Sequence, residues 1–352
     1  MIEVRTYDGD AAELSRFVLD VWSTAYRGRM PVPLWDARYF DWQIPVDRPG
    51  SREFLVAAYD GSKLIGFLGG ERFRFSSRDG EFDVAMASWT TADPAYAKYR
   101  IGARIIGEMR RRFLERGVAF GLGFGYSGAA VSMGPRFWRG VTKHTIIPGK
   151  IGFWLRLLDH RAFAAWESSR LKRWSAGVLG LVQGSPHGVL NTEGIRPYRA
   201  DDLADCLQLT RQLLAHVDLG YVWTSERLAH QLDYAGLPRT IVLEDHGHVG
   251  GFVNYYRLDF AARNAIEAAV IDLVAFGALP QHDRQRLLRA ALAQMQAEGL
   301  KAAMLLRLPC YPAWPLLVTG FVPMPRDTDL ICLRADPRVA YHRVKRLHVH
   351  WR

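Results

Sequence analysis

Between Asp93 and Arg104 the sequence DPAYAKYRIGAR brings free hydrogen-bond donors to the mouth of a helix. Lys98, Tyr99, Arg100, Ile101 and Gly102 fall at the predicted helix start. There the first N–H groups lack an intrahelical acceptor and the dipole presents its positive end. Such an end binds phosphate, and Gly102 allows a ligand to approach the main chain closely. Other chemistry is sparse. His348-Val-His350 has spacing that a strand turns to one face, but no carboxylate or cysteine accompanies it in sequence, so no metal site is expected. His246 and His248 flank a hairpin glycine and read as solvent-exposed. There is no Gly-x-Ser-x-Gly elbow and no Walker loop.

The elements that must position this helix mouth are legible on either side. Met86–Thr91 is apolar and β-branched enough for a buried strand, and Asp93-Pro94 ends it because proline cannot continue a central ladder. From Tyr96 the period changes. Ile101, Ile105, Met109 and Phe113 recur every fourth residue, one apolar stripe along a helix that Gly117 closes. Val118–Phe124 follows as a glycine-rich strand, and glycine inside a strand marks close backbone approach.

This strand–loop–helix–strand resembles the GNAT family of N-acyltransferases, whose signature here is Pro-x-Tyr-Arg-Gly-x-Gly-x-Gly/Ala before a helix. Pro94, Tyr96 and Gly102 are kept, while Ala97 and Arg100 replace the family's Arg/Gln and first glycine. Further on, Tyr126 stands near the family's Asn position, Arg136 falls four before Gly140, and Val141 replaces Phe. The family's general-acid tyrosine is therefore missing from its usual slot. The resemblance implies an α/β (mixed α+β) fold, a twisted and mostly antiparallel sheet flanked by helices. It implies acetyl-CoA or another acyl-CoA as co-substrate, no metal, and transfer of the acyl group to the amine of a small-molecule acceptor. The CoA pyrophosphate would lie on the main chain of Arg100, Ile101, Gly102 and Ala103, helped by Lys98 or Arg104. The pantetheine arm would hydrogen-bond the main chain of Ser88, Trp89 and Thr90. Tyr126 is the candidate to protonate the leaving thiolate, and Asp83 or Glu81 the candidate to accept a proton. In such a fold the aromatic segment Trp35, Tyr39, Phe40, Trp42 borders the acceptor; read from the residues alone, it is core.

The chain then repeats itself. Arg5-Thr-Tyr7-Asp-Gly-Asp10 returns as Arg196-Pro-Tyr198-Arg-Ala-Asp201. Asp60-Gly-Ser-Lys-Leu-Ile-Gly66-Phe67 returns without a gap as Asp245-His-Gly-His-Val-Gly-Gly251-Phe252. A strand over Val270–Phe276 and a helix with Leu287, Leu288, Ala291, Leu292 and Met295 complete the echo, and Gly320-Phe321 matches the family's closing Gly-Phe. The order argues for a duplication. Residues 1–155 form the first copy, 156–190 a helical connector and linker, and 191–352 a degenerate second copy with a basic tail. Asp283 at the second copy's helix start opposes anion binding. That half reads as wall, lid or homodimer surface.

Composition bounds the rest. At 352 residues, 49% hydrophobic, the chain is long enough for two cores. Three scattered cysteines argue for a reducing compartment, and the start has no apolar signal region, so a cytoplasmic protein is expected. No uncharged run is long enough to span a bilayer. A net charge of +10 concentrates at Arg110, Arg111, Arg112 and Arg116, at Arg170, Lys172 and Arg173, and over Arg338–Arg352. This suits acidic partners such as CoA or an acyl carrier protein; no nucleic-acid motif accompanies it. The alternative class is a non-catalytic acyl-CoA-binding or scaffold protein of the same fold.

Overall fold

The structure, a computed structural model, describes residues 1–26, 30–44, 50–78, 80–126, 135–167, 177, 180, 183, 191–335 and 344–352. The chain divides into two compact units: residues 1–151 with 327–344 and Arg352, and residues 152–326 with 345–351.

In the first unit the strands are β1 (Ile2–Thr6), β2 (Val56–Asp60), β3 (Lys63–Ser77), β4 (Gly80–Ala92), β5 (Phe120–Tyr126) and β6 (Thr145–Ile151). They lie in the order β1-β2-β3-β4-β5, then the far-downstream strand Thr328–Arg334, then β6. Hairpins at Gly61 and Gly80, both at positive φ, join β2 to β3 and β3 to β4. Among the described residues of these six strands, β4 and β5 pair in parallel. Their crossover is α3 (Ile101–Glu115), which buries Ile101, Ile105, Ile106, Met109 and Phe113 against the sheet. Each such side chain contributes roughly 1.5–3 kcal/mol by burial. Gly121 of β5 makes room for Phe113, since a Cβ there would come within 2.7 Å of the ring. Two helices, α1 (Ala11–Tyr26) and α2 (Ala37–Gln43), precede β2. Asp10 accepts from the Glu13 N–H at 2.7 Å and so caps α1.

The second unit repeats the plan. Its strands are β7 (Phe153–Leu157), β8 (Ile195–Pro197), β9 (Pro238–Asp245), β10 (His248–Ala261), β11 (Ala265–Ala275), β12 (Ala302–Leu306) and β13 (Val322–Pro323). Their order across the sheet is β8-β9-β10-β11-β12-β7-β13. The parallel pair is again the one bridged by a long helix, Gln281–Ala297, which buries the five residues named from sequence. The repeated glycine has one physical job in both copies. A Cβ on Gly66 would meet Ile101 at 2.4 Å, and one on Gly251 would meet Leu279 at 2.6 Å, so each glycine seats an apolar side chain at or just before the crossover helix.

The copies exchange a strand. β7 follows β6 after Gly152, yet pairs antiparallel with β12; Thr328–Arg334, downstream of the second copy, pairs antiparallel with β5 and β6. The division at 155 and 191 expected from sequence therefore differs from the units found.

Other expectations change locally. The helix does not run on from Tyr96: a 3-10 turn, Pro94–Tyr99, is separated from α3 by Arg100 in the left-handed region (φ 54, ψ 42). Phe137–Gly140 lies within a short helix, Pro135–Val141. Leu155 and Leu157 belong to β7, and the connector begins with a helix, His160–Trp166, capped by Asp159. Most of the remaining connector with Arg170, Lys172 and Arg173, residues 184–188 of the linker, Gly28, Arg338 and Arg343 lie outside the described residues.

Candidate functional site

β4 and β5 pair in parallel only at Val84–Phe120, Ala85–Gly121 and Met86–Leu122, although β4 continues to Ala92 and β5 to Tyr126. The sheet parts after Met86. A Cβ on Gly123 would stand 2.4 Å from the Ala87 carbonyl oxygen, so glycine is required at the point of parting. Beyond it lies a cavity of about 40 Å³. Ala87, Ser88, Trp89 and Thr90 line one side and Gly123, Phe124 and Gly125 the other. Trp22, Tyr26, Trp35, Trp138, Ile331, Leu333 and Arg352 enclose the rest. The volume has room for a few waters.

A bulge shapes the β4 side. Against β3, Phe67 pairs Thr91 and Gly69 pairs Ser88, so Trp89 and Thr90 together oppose Leu68. Trp89 takes φ 55, a positive value that is uncommon for a bulky residue. The buried Thr91 hydroxyl fixes the bulge: it donates to the Trp89 carbonyl at 2.9 Å and accepts from Trp22 Nε1 at 2.9 Å. Phe40 and Tyr39 contact the Trp89 ring edge-on, with centroids 5.2 and 6.0 Å away. The aromatic segment is thus packed core, as its composition implies, while Trp35 also reaches the cavity wall.

The helix mouth stands at the same, C-terminal end of β4. The first main-chain bond of α3 is Arg104 N–H to the Arg100 carbonyl at 3.1 Å. The amides of Ile101, Gly102 and Ala103 have no main-chain acceptor among the described residues. No side chain caps the helix, and no acidic residue sits in its first turn. The left-handed Arg100 occupies the place of the family's first glycine with the backbone shape that glycine favours. Lys98 is exposed, its ammonium 4.9 Å from the Tyr99 ring. Arg104 turns away to the Ile2 carbonyl at 3.0 Å.

The proposed proton carriers are not gathered here. Glu81 and Asp83 sit near the hairpin end of β4, where cross-strand register sets them beside Arg74 at 3.3 and 3.4 Å, and neither lines the cavity. They are hairpin ion pairs. The main chain of Tyr126 ends β5 opposite Thr328; its side chain lies outside the described residues. Sequence reading missed Tyr26, the phenol-bearing residue of the cavity wall, because at the end of α1 it looks like one more apolar-face residue. No carboxylate or imidazole lines the cavity among the described residues.

The arginines of α3 have internal partners. Arg111 pairs with Glu108 and Glu115, and Arg112 with Glu108. Arg116 pairs with Glu53, and Arg110 donates to the carbonyls of Arg334 and Ala335. Donation from Arg111, then Arg112, holds the Glu108 carboxyl down to about 2.

The second unit's corresponding strands part after Ile271–Leu305, and the bulged residue there is Asp272. Its carboxylate meets His350, 2.9 Å away, and Gln231 donates to it at 2.8 Å. His348 faces the Tyr311 hydroxyl at 3.2 Å. The end of the basic tail is therefore buried, Leu347 through Trp351, and the two histidines do have polar company that sequence spacing could not reveal. Burial first, then the neighbouring His350, pushes His348 down to about 3. At the second helix start Asp283 is paired with Arg286 at 2.5 Å. His246 and His248 are exposed. Among the described residues no cluster of three His, Cys, Asp or Glu could hold a metal, and no helix is long and apolar enough to cross a membrane.

No protein-family model matches the sequence, and no curated protein matches it. Solved structures do share the fold. Saccharomyces cerevisiae N-myristoyltransferase with bound myristoyl-CoA aligns at TM-score 0.75 and 12% identity, covering 99% of this chain and 89% of that one. A structure of the same yeast enzyme with myristoyl-CoA and inhibitors gives 0.75 at 13% identity, covering 99% and 86%. A GCN5-related N-acetyltransferase from Kribbella flavida gives 0.51 at 15% identity, covering 94% and 71%. With the repeated sheet order, these likenesses give the chain a GNAT-type fold, present twice.

Proposed function

We propose that this tandem GNAT-type chain is an acyl-CoA-dependent acyltransferase whose first unit holds the thioester and passes its acyl group to the amine of a small molecule. The observation that carries the reading is the parting of β4 from β5 after Met86, beside a helix start whose leading amides have no main-chain acceptor. The diphosphate would rest on the amides of Ile101, Gly102 and Ala103, with Lys98 as the nearby cation. The pantetheine amides would continue the β4 ladder along Ser88, Trp89 and Thr90, bringing the thioester to the indole-walled cavity. There the amine nitrogen attacks the thioester carbon. The C–N bond forms, the C–S bond breaks, and the amine proton leaves as the thiolate gains one. Tyr26 is the cavity-wall phenol able to supply the thiolate's proton. With no carboxylate or imidazole on the wall among the described residues, the acceptor would enter as the free amine and release its proton to water.

Two features narrow the donor. A cavity of about 40 Å³ suits a two- or three-carbon acyl group, well short of the tetradecanoyl chain bound by the yeast structures. The α3 arginines are engaged internally, which favours free CoA over an acidic carrier protein. The second reading is a non-catalytic acyl-CoA binder, favoured by the lack of a carboxylate or imidazole on the wall among the described residues. Thermal unfolding and thiol release over acyl-CoAs of rising length and a panel of amines separate the two. Acetyl-CoA at a hundred times its Kd stabilises by about 2.7 kcal/mol. Amine-dependent thiol release establishes the transferase, stabilisation alone establishes the binder, and neither response defeats both.

A further inference from the structure

Trp89 combines three properties that packing alone does not explain. It is 93% buried, taking its 7% exposure, and its indole Nε1–H has no acceptor among the described residues. An isolated buried donor costs about 1–3 kcal/mol. Its main chain is held at φ 55, a strained conformation for so large a residue and one worth roughly 1–3 kcal/mol. It also lines the cavity beyond the parting of the sheet. The strain is not incidental, because Thr91 and Trp22 form a hydrogen-bonded brace that holds the Trp89 carbonyl in the bulge. The ring is fixed in turn. Gly69 has no side chain because a Cβ there would stand 2.8 Å from Trp89 Cε3, and Phe40 and Tyr39 press on the ring edge-on. The indole atoms nearest that position are Cε3 and Cζ3, on the long edge opposite Nε1.

We infer that the Trp89 indole N–H is the side-chain donor that receives the acyl carbonyl oxygen of the bound thioester. The inference rests on the function proposed above and adds a catalytic residue to it. The neighbouring wall carries Trp22, Trp35, Trp138, Ile331 and Leu333, with Tyr26 and Arg352 beside them. In such surroundings a fixed N–H is worth more than in water and needs no reorganisation as negative charge grows on the oxygen. When the amine attacks, the carbonyl π pair moves to that oxygen and the N–H···O bond strengthens; collapse returns the pair and expels the thiolate. The indole keeps its proton throughout.

The experiment uses the full chain with 15N-labelled indoles, the Trp89 signal being assigned by its absence in Trp89→Phe. Acetyl-CoA is expected to move that signal downfield, whereas CoA without the acyl group leaves it in place. Trp89→Phe preserves the ring and removes the donor. It should lower acetyl-CoA turnover about 10²–10³-fold, the usual cost of one such donor, while CoA affinity changes less than about threefold. A signal indifferent to the acyl group, or a Trp89→Phe variant as active as the parent, overturns the role of Trp89 even when CoA binds. Failure of the unaltered protein to bind either ligand overturns the acyl-CoA reading itself, and this inference with it.

Discussion

Asp272 Oδ2 stands 2.9 Å from His350 Nδ1, and both side chains are 2% exposed. Gln231, itself bonded to Asn254, holds the same carboxylate oxygen, and the His350 ring packs against both Tyr221 and Trp223. A buried carboxylate so surrounded is a structural commitment: its partners satisfy it, and each depends on it.

Removing one side of that pair leaves a buried polar group without this partner. Asp272→Ala should cost about 3–5 kcal/mol in urea unfolding. Asp272→Ala with His350→Ala should cost less than the sum of the single changes, by more than about 0.5 kcal/mol. Additive losses would mean that the contact carries no coupling.

His348 sets a pH dependence. Its folded pKa of about 3 lies below the ordinary 6.5, so the folded state keeps it neutral while the unfolded chain takes up a proton. Its contribution is complete above about pH 6.5 and is lost as pH falls towards 3, at up to about 1.4 kcal/mol per unit. Unfolding curves at pH 7 and pH 5.5 should differ by more in the parent than in His348→Gln. Equal differences in the two proteins would remove the histidine from the account.

Gly123 guards the parting of the sheet. Gly123→Ala places a methyl group against the Ala87 carbonyl, where only main chain can yield. A loss of about 1–3 kcal/mol is expected, with weaker stabilisation by acetyl-CoA. An unchanged unfolding midpoint would show that the strands part elsewhere.

Arg100 tests the helix mouth through its backbone. Arg100→Gly relieves a left-handed conformation worth about 1–2 kcal/mol and costs some chain entropy, so stability should hold or rise by up to about 1 kcal/mol. Arg100→Val, β-branched at the same φ, should fall below the parent by more than about 1 kcal/mol. Paired denaturation curves decide, and the reverse order would contradict the left-handed turn.

What sequence disclosed, it disclosed through period and repetition. The stripe Ile101, Ile105, Met109, Phe113 is what a helix on a sheet must carry, and all of its members are buried. Gly66 and Gly251 recur because both seat a side chain at a crossover. Partner choice was hidden. Phe153–Leu157 reads as a continuation of what precedes it, and nothing local says that its sheet is made by residues 302–306. Glu81 and Asp83 looked available because their satisfying arginine, Arg74, depends on hairpin register. The tail looked like a solvated basic end because burial of His348 and His350 comes from Tyr311 and Asp272, both distant in sequence.

The reciprocal strand exchange makes the gene's apparent seam a false one. A polypeptide ending near residue 190 would carry β7 with no sheet to join and would leave a gap between β5 and β6; the complementary fragment would lack the piece that spans β12 and β13. Neither half can close its hydrogen-bond ladder without the strand that the other half's stretch of sequence supplies. Each sheet borrows a strand from the other copy's stretch of sequence, so a cut between the copies in sequence is not a cut between the units.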